Sequence, residues 1–322
     1  MKKILVLAFV AMLIPPLSSF AYRTDTVRWR ESLPYKLYNF KKVKKSELKQ
    51  NDYPISADAP AVILYELQDI FVFSNYGKVK ALNTKARHFM SEETTTRRIK
   101  ILSEEGKKYA TVKFQFKSDA TSTDTYMGFA GATAYSYTLD GNKKLIAKLD
   151  KKSVKLTRVD NQTMQVEFTI PNVTVGSIIE YEYTITGVTL IPNVERSRHL
   201  QSDIPILHST CQIWHDRNIW DVMVKNDKGV THQHATGGRA IGRSYMGFQG
   251  GSERSTSRGV DFTSNGNVLR NNNYMDSYVP SAPITGPRAY CDIEIYDVLH
   301  LSKSTPAEDI PTITVKVKDL EM

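Results

Sequence analysis

Apolar residues along this chain recur at every second position, and a helical period is almost absent. In the run from Ile178 to Ile185, Ile179, Tyr181, Tyr183 and Ile185 alternate with Glu180, Glu182 and Thr184. Alternation of this kind places the two sets on opposite faces of a strand, so the spacing predicts one face toward a core and a Glu-rich face toward water. The lead into this run carries its punctuation. Pro171 cannot donate to a ladder and ends the preceding strand, and Gly176 accepts a positive φ, so together they set which residues of 178–185 point inward.

The same period recurs through the chain. Residues 61–73, AVILYELQDIFVF, read as a strand or a bent pair of strands. Residues 97–116 read as a hairpin around a turn carrying Gly106. TAYSYTL and KLIAKL flank Asp140-Gly141-Asn142, and SVKLTRV and TMQVEFTI flank Asp160-Asn161-Gln162; both predict hairpins. PILHSTCQIW, NIWDVMVK, AYCDIEIYDV and PTITVKV follow. Short strands at this spacing predict an all-β protein, an antiparallel β-sandwich or two packed sandwich subdomains.

Two regions depart from the pattern. A short helix is expected at 45–50, with Ser46 as its N-cap. Residues 228–287 are rich in Gly, Ser, Asn and Arg and poor in apolar residues, which predicts a long excursion, either a functional or a disordered loop, with a short strand around 244–248. The expected organisation is therefore a leader at 1–21, a basic lead at 22–57, a sandwich at 58–227, the excursion at 228–287, and strands returning to the sandwich at 288–322.

The N-terminus reads as an export signal. Lys2 and Lys3 precede an apolar core from Ile4 to Ile14, which is too short to span a bilayer; Pro15-Pro16 break it, and Ser19-Phe20-Ala21 supplies small residues for cleavage after Ala21. No later run approaches the length of a membrane helix, so the expected location is exported, periplasmic or at the cell envelope. The net charge is +9. Residues 22–49 hold nine Lys and Arg against three acids, so the high charge belongs to a short lead and not to the body. That argues against a nucleic-acid-binding face and is consistent with a solvated linker or a basic arm near an anionic partner.

The candidate chemistry is sparse. Cys211 followed by His215, His232 or His234 and then Asp261 gives a Cys-His-Asp order, but Cys211 lies inside a strand-like run with no helix N-terminus to lower its pKa. Cys211 and Cys291 occupy strand-like runs that neighbouring strands could bring together; an oxidising compartment permits a disulfide, and two separate small buried residues are the alternative. His232-Gln233-His234 places two imidazoles on one side of a strand, yet no third ligand stands at a diagnostic spacing, so no metal is expected. The glycine-rich GGRAIG and GFQGGS do not join a strand to a helix and are not phosphate loops. Tyr245, Phe248, Arg254 and Arg258 mix aromatics with cations in a way that suits glycan or protein contact. No cofactor is implied.

Five blocks in order, SELKQNDYPISADAPAVILYE, RRIKILSEEGKKYATVKFQF, AYSYTLDGNKKLIAKLDKKSV, MQVEFTIPNVTVGSIIEYEYTITG and DIPILHSTCQIW, resemble the N-terminal domain of exported bacterial transglutaminase-like proteins, domain of unknown function 3857. The resemblance covers roughly 46–225. It implies a β-sandwich that normally precedes a transglutaminase-like domain with a Cys-His-Asp triad, and no stretch of this sequence offers positions for that triad. The expected function is thus an exported, non-catalytic β-sandwich module that binds or positions a companion transglutaminase-like domain or an envelope partner, protein or glycan. The alternatives are a fragment of a cysteine-type transglutaminase or protease, and a glycan-binding module acting through 228–287.

Overall fold

The computed structural model describes residues 40, 42–53, 55, 58–79, 82–119, 121–192, 195–216, 218–240, 259–262, 268–271, 288–302, 306 and 309–318. A short helix, α1 (Lys45–Lys49), precedes the strands. These run β1 (Ala61–Val79), β2 (Thr84–Ile101), β3 (Thr111–Lys117), β4 (Thr125–Asp140), β5 (Lys143–Lys148), β6 (Lys155–Asp160), β7 (Thr163–Thr169) and β8 (Ile178–Thr189). They continue as β9 (Glu195–His199), β10 (Ile206–His215), β11 (Trp220–Lys225), β12 (Val230–Ala240), β13 (Gly259–Phe262), β14 (Val268–Asn271), β15 (Arg288–Leu301) and β16 (Thr312–Val317). One layer is an eight-stranded sheet, ordered β12-β15-β10-β1-β2-β8-β4-β5. Two three-stranded sheets, β3-β7-β6 and β11-β16-β9, bury their apolar faces in a core shared with it. The result is an all-β sandwich.

Contacts across the layers show how each small sheet is seated. Phe114 of β3 stacks on Tyr183 of β8 with ring centroids 4.0 Å apart, and Phe168 of β7 meets Tyr181 edge-on at 6.2 Å. On the other side, Trp220 of β11 packs edge-on against Phe89 of β2 at 6.1 Å. Aromatic pairs at these distances add to the burial of their area. A bulge in β1 between Ile63 and Tyr65 shifts its register against β2. It keeps Ala61 and Ile63 in the same core as Ile70 and Val72, while Val62 and Leu64 join a second cluster with Leu48 of α1.

The two hairpins at Asp140–Lys143 and Asp160–Thr163 form as the turn residues predict. The run 97–116 does not form a hairpin. Its first arm, β2, pairs with β1 and β8 in the large sheet, and its second, β3, pairs with β7 in a small one. A 3-10 turn at Glu105–Ala110 carries the chain between layers. Gly106 is required there because a Cβ would stand 2.0 Å from the Pro60 carbonyl oxygen, which already accepts from the amides of Leu102 and Ser103. One pairing breaks the antiparallel rule: β1 runs parallel to β10, with Glu66 opposite Ser209.

β8 also corrects an expectation. Glu180 does not face water; it is fully buried. Arg98 donates to its Oε1 from Nε and from a terminal nitrogen at 2.8 and 2.6 Å, and Tyr137 Oη donates to its Oε2 at 2.9 Å. Both faces of this central strand are covered, one by the β3-β7-β6 sheet and the other by α1 and its neighbours, and a charge is tolerated because each carboxylate oxygen has a donor. The helix starts one residue before the expected cap: Lys44 is the N-cap, and its amide donates to Glu47 Oε2 at 2.6 Å. The lead into β8 works as its residues suggest. Asn172 and Gly176 take positive φ, and Gly176 N donates to the Ile101 carbonyl at 2.9 Å while Ile101 N donates to the Ser177 carbonyl at 2.9 Å, which locks the register against β2.

Candidate functional site

Cys211 lies in the middle of β10, opposite Gln68 of β1 and Tyr296 of β15. Its thiol is completely buried, and burial pushes it up to about 12, with Arg198 pulling the other way. The row beside it is polar, and its charged groups lie in ion pairs. Glu66 accepts from Arg97 Nε, from Gln68 Nε2 at 2.8 Å and from Ser209 Oγ at 3.4 Å. Glu93 receives Arg196 Nε at 2.7 Å and Arg198. A thiol held neutral in such a place is a small apolar side chain, not a nucleophile.

The proposed partners of that thiol are elsewhere. His215 is four positions along the same strand, about 13 Å away at the usual rise per residue, so the two cannot share a proton. Asp261 is in β13, which pairs with β14 in a separate two-stranded sheet. The disulfide is not formed either: Cys211 is a free thiol. Register gives the reason. Cys211 stands opposite Tyr296 and Cys291 stands opposite Gly237 of β12, so the two cysteines are offset by five positions, roughly 16 Å of strand. A disulfide needs Cα atoms within about 7 Å. Tyr245, Phe248, Arg254 and Arg258 lie outside the described residues.

The histidines do come together, at the far end of the same sheet. The start of the expected excursion is not a loop but β12, the edge strand of the large sheet, paired along β15. His232 Nε2 lies 2.5 Å from Glu294 Oε2, and His234 Nδ1 lies 2.9 Å from Glu294 Oε1. His215, opposite Asp292 on the other side of β15, brings Nε2 to 3.7 Å from Glu294 Oε1. His234 Nε2 is 3.6 Å from Asp292 Oδ1. The His232 ring stacks on Tyr296 at 4.7 Å. Burial pushes the Glu294 carboxyl up, but the hydrogen bonds from His232 and His234 outweigh it and hold the group below the ordinary range. Burial lowers His215, against the pull of Glu294 and Asp292. Three imidazoles thus converge on one carboxylate. His232 and His234 were legible as a pair sharing one face; their partners come from strands β10 and β15, and nothing in the local spacing announces them.

Residues 88–214 match the family described as "Domain of Unknown Function with solved-structure structure (DUF3857)". The match takes in 127 of the chain's 322 residues. The matched segment runs from His88 in β2 to Trp214 in β10, so it holds Cys211 and the buried ion pair of β2 and β8. The imidazole cluster falls just outside it. No curated protein matches the chain. Among solved structures, the crystal structure of a "putative protease" from Parabacteroides distasonis ATCC 8503 is similar at a TM-score of 0.46 and 8% identity, over 81% of this chain and 41% of that one. The chain therefore spans about two-fifths of the length of that protein.

Proposed function

We propose that this chain is an exported, non-catalytic β-sandwich module that positions a companion transglutaminase-like domain or an envelope partner. The observation that carries the reading is the burial of Cys211, which puts the thiol out of reach of solvent. The pairing of Glu66, Glu93 and Glu180 with arginines supports it, because such networks fix a scaffold.

Purified residues 22–322 should neither hydrolyse nor cross-link peptides in a thiol-dependent way. Cys211 should resist iodoacetamide at neutral pH until the protein is unfolded by denaturant. Rapid labelling of Cys211 in the native protein, accompanied by loss of a peptide-directed activity, would overturn the reading.

A further inference from the structure

We propose that the rim of the sandwich formed by β5, the turn after it and β6 is a docking surface for an anionic lipid bilayer. Lys143, Lys148, Lys151, Lys152 and Lys155 supply the cations, and Leu145 and Ile146 supply an apolar contact between them. The inference stands independently of the module reading above.

Charge segregation is the first support. Of the net +9, two charges belong to Lys2 and Lys3 and six to residues 22–49, which leaves +1 for the rest of the chain. Residues 143–159 alone hold six Lys and Arg158 against the single acid Asp150, so the remainder of the body is acidic. A concentration of one sign on a body of the other gives a local field that attracts an anionic partner.

The fold gathers this segment onto one border. β5 is the edge strand of the eight-stranded sheet, and β6 is the edge strand of the β3-β7-β6 sheet. Leu149 and Val154 pack into the shared core, and a 3-10 turn at Lys151–Ser153 bridges the two layers between them. Asp150 caps that turn, accepting from the Lys152 amide at 3.0 Å. Lys143, Lys148, Lys151, Lys152 and Lys155 are all exposed, and among the described residues none of these five ammonium groups forms an ion pair. Glu167, opposite Lys155 on β7, lies 4.0 Å from Lys113 instead. Lys144 is engaged within the fold, its Nζ donating to the Val43 carbonyl at 2.8 Å.

Lysines on an edge strand also block unwanted strand pairing. That role accounts for Lys143 and Lys148 but not for the cations of the turn, and it does not account for the apolar residues. Leu145 and Ile146 are 40% and 55% exposed in the middle of β5, and Val159 is exposed on β6. Cations around exposed aliphatic side chains are the composition that binds an anionic membrane surface. An acidic strand added to β5 would lie along Lys143 and Lys148 and not along the turn or β6. Cations spread over the edges of both layers fit a planar surface better.

The test uses residues 22–322 and sedimentation with phosphatidylcholine vesicles, with and without about one third phosphatidylglycerol. Binding should need the anionic lipid. It should fall at least tenfold between about 0.1 M and 1 M salt, as the screening length shortens from about 10 Å to 3 Å. K148Q/K151Q/K152Q, altered at exposed positions, should bind at least tenfold more weakly with unchanged circular dichroism. K143Q/K155Q reads the other cations of the rim and should lose at least threefold. I146S should lose at least fivefold. R28Q/R30Q/K36Q, which neutralises part of the basic lead, should bind within about threefold of the parent. Equal binding to both vesicles would overturn the proposal, as would undiminished binding of the folded rim variants or a loss in the lead variant as large as theirs. Undiminished binding of I146S would make the rim a site for any polyanion, an acidic protein included, and would overturn it equally.

Discussion

Lys100 Nζ donates to the Leu48 carbonyl at 2.6 Å and to the Gly176 carbonyl at 2.8 Å. One fully buried ammonium thus ties the last turn of α1 and the lead into β8 to strand β2. Burial pushes it down to about 8. The unfolded chain keeps an ordinary lysine near 10.4. Between those two values the unfolded state binds more protons than the folded one, so this group makes stability rise with pH across that window, by about 3 kcal/mol in full. Below pH 8 the cost of the buried charge is constant. Urea denaturation of the parent and of K100M at pH 7 and pH 10 measures it. The parent should gain on K100M at the higher pH, and K100M should be less stable by roughly 1–3 kcal/mol at pH 7 because two carbonyls lose their donor.

Arg98 and Glu180 form the second clasp of α1, because Arg98 also reaches Glu47 Oε1 at 2.6 Å. R98M takes the two Arg98 donors away from buried Glu180 and should cost about 3–5 kcal/mol. The double change R98M/E180L removes both charges and should recover much of that loss. Chemical denaturation of the two variants decides the matter: a double variant as unstable as the single one would show that packing, not charge, dominates here.

G106A should cost at least about 1–3 kcal/mol, since the new methyl must push the Pro60 carbonyl off two amides. The same change at Gly141, on an open hairpin tip with φ of +55°, meets no atom and carries only the strain of its backbone. Melting temperatures of both variants should rank G106A below G141A.

Export predicts a processed chain. Expression with the full leader in a bacterial host should yield a protein whose N-terminus is Tyr22, read by intact mass or terminal sequencing. A retained Met1 in the folded product would remove the export part of the proposed function.

Much of this architecture was legible because strand periodicity and turn residues are local signals. The hairpins at Asp140-Gly141 and Asp160-Asn161 needed nothing beyond their own residues. Pro171 and Gly176 likewise announced the register of β8. What failed was non-local. The arms around Gly106 read as a hairpin because alternation says which residues share a face, not which sheet each arm joins. Glu180 read as solvent-facing because its cover, Arg98 and Tyr137, comes from 82 and 43 residues away. The histidine pair on β12 was seen, but low apolar density made its strand look like a loop, and Glu294 is 60 residues on.

The parallel seam between β1 and β10 sets the order in which this molecule can assemble. Glu66 and Ser209 face each other across 143 residues of chain. Closing a loop of that length costs about 4 kcal/mol in entropy before any contact rewards it. The half built from β1, β2, β8, β4 and β5 can pair early, yet the outer edge of β1, with its AVILYELQDIFVF run, stays open until β10 arrives. An unpaired apolar edge recruits other chains. Contacts this distant also make folding slow. The first strand waits for the tenth, and in that interval the protein depends on being kept apart from its own copies.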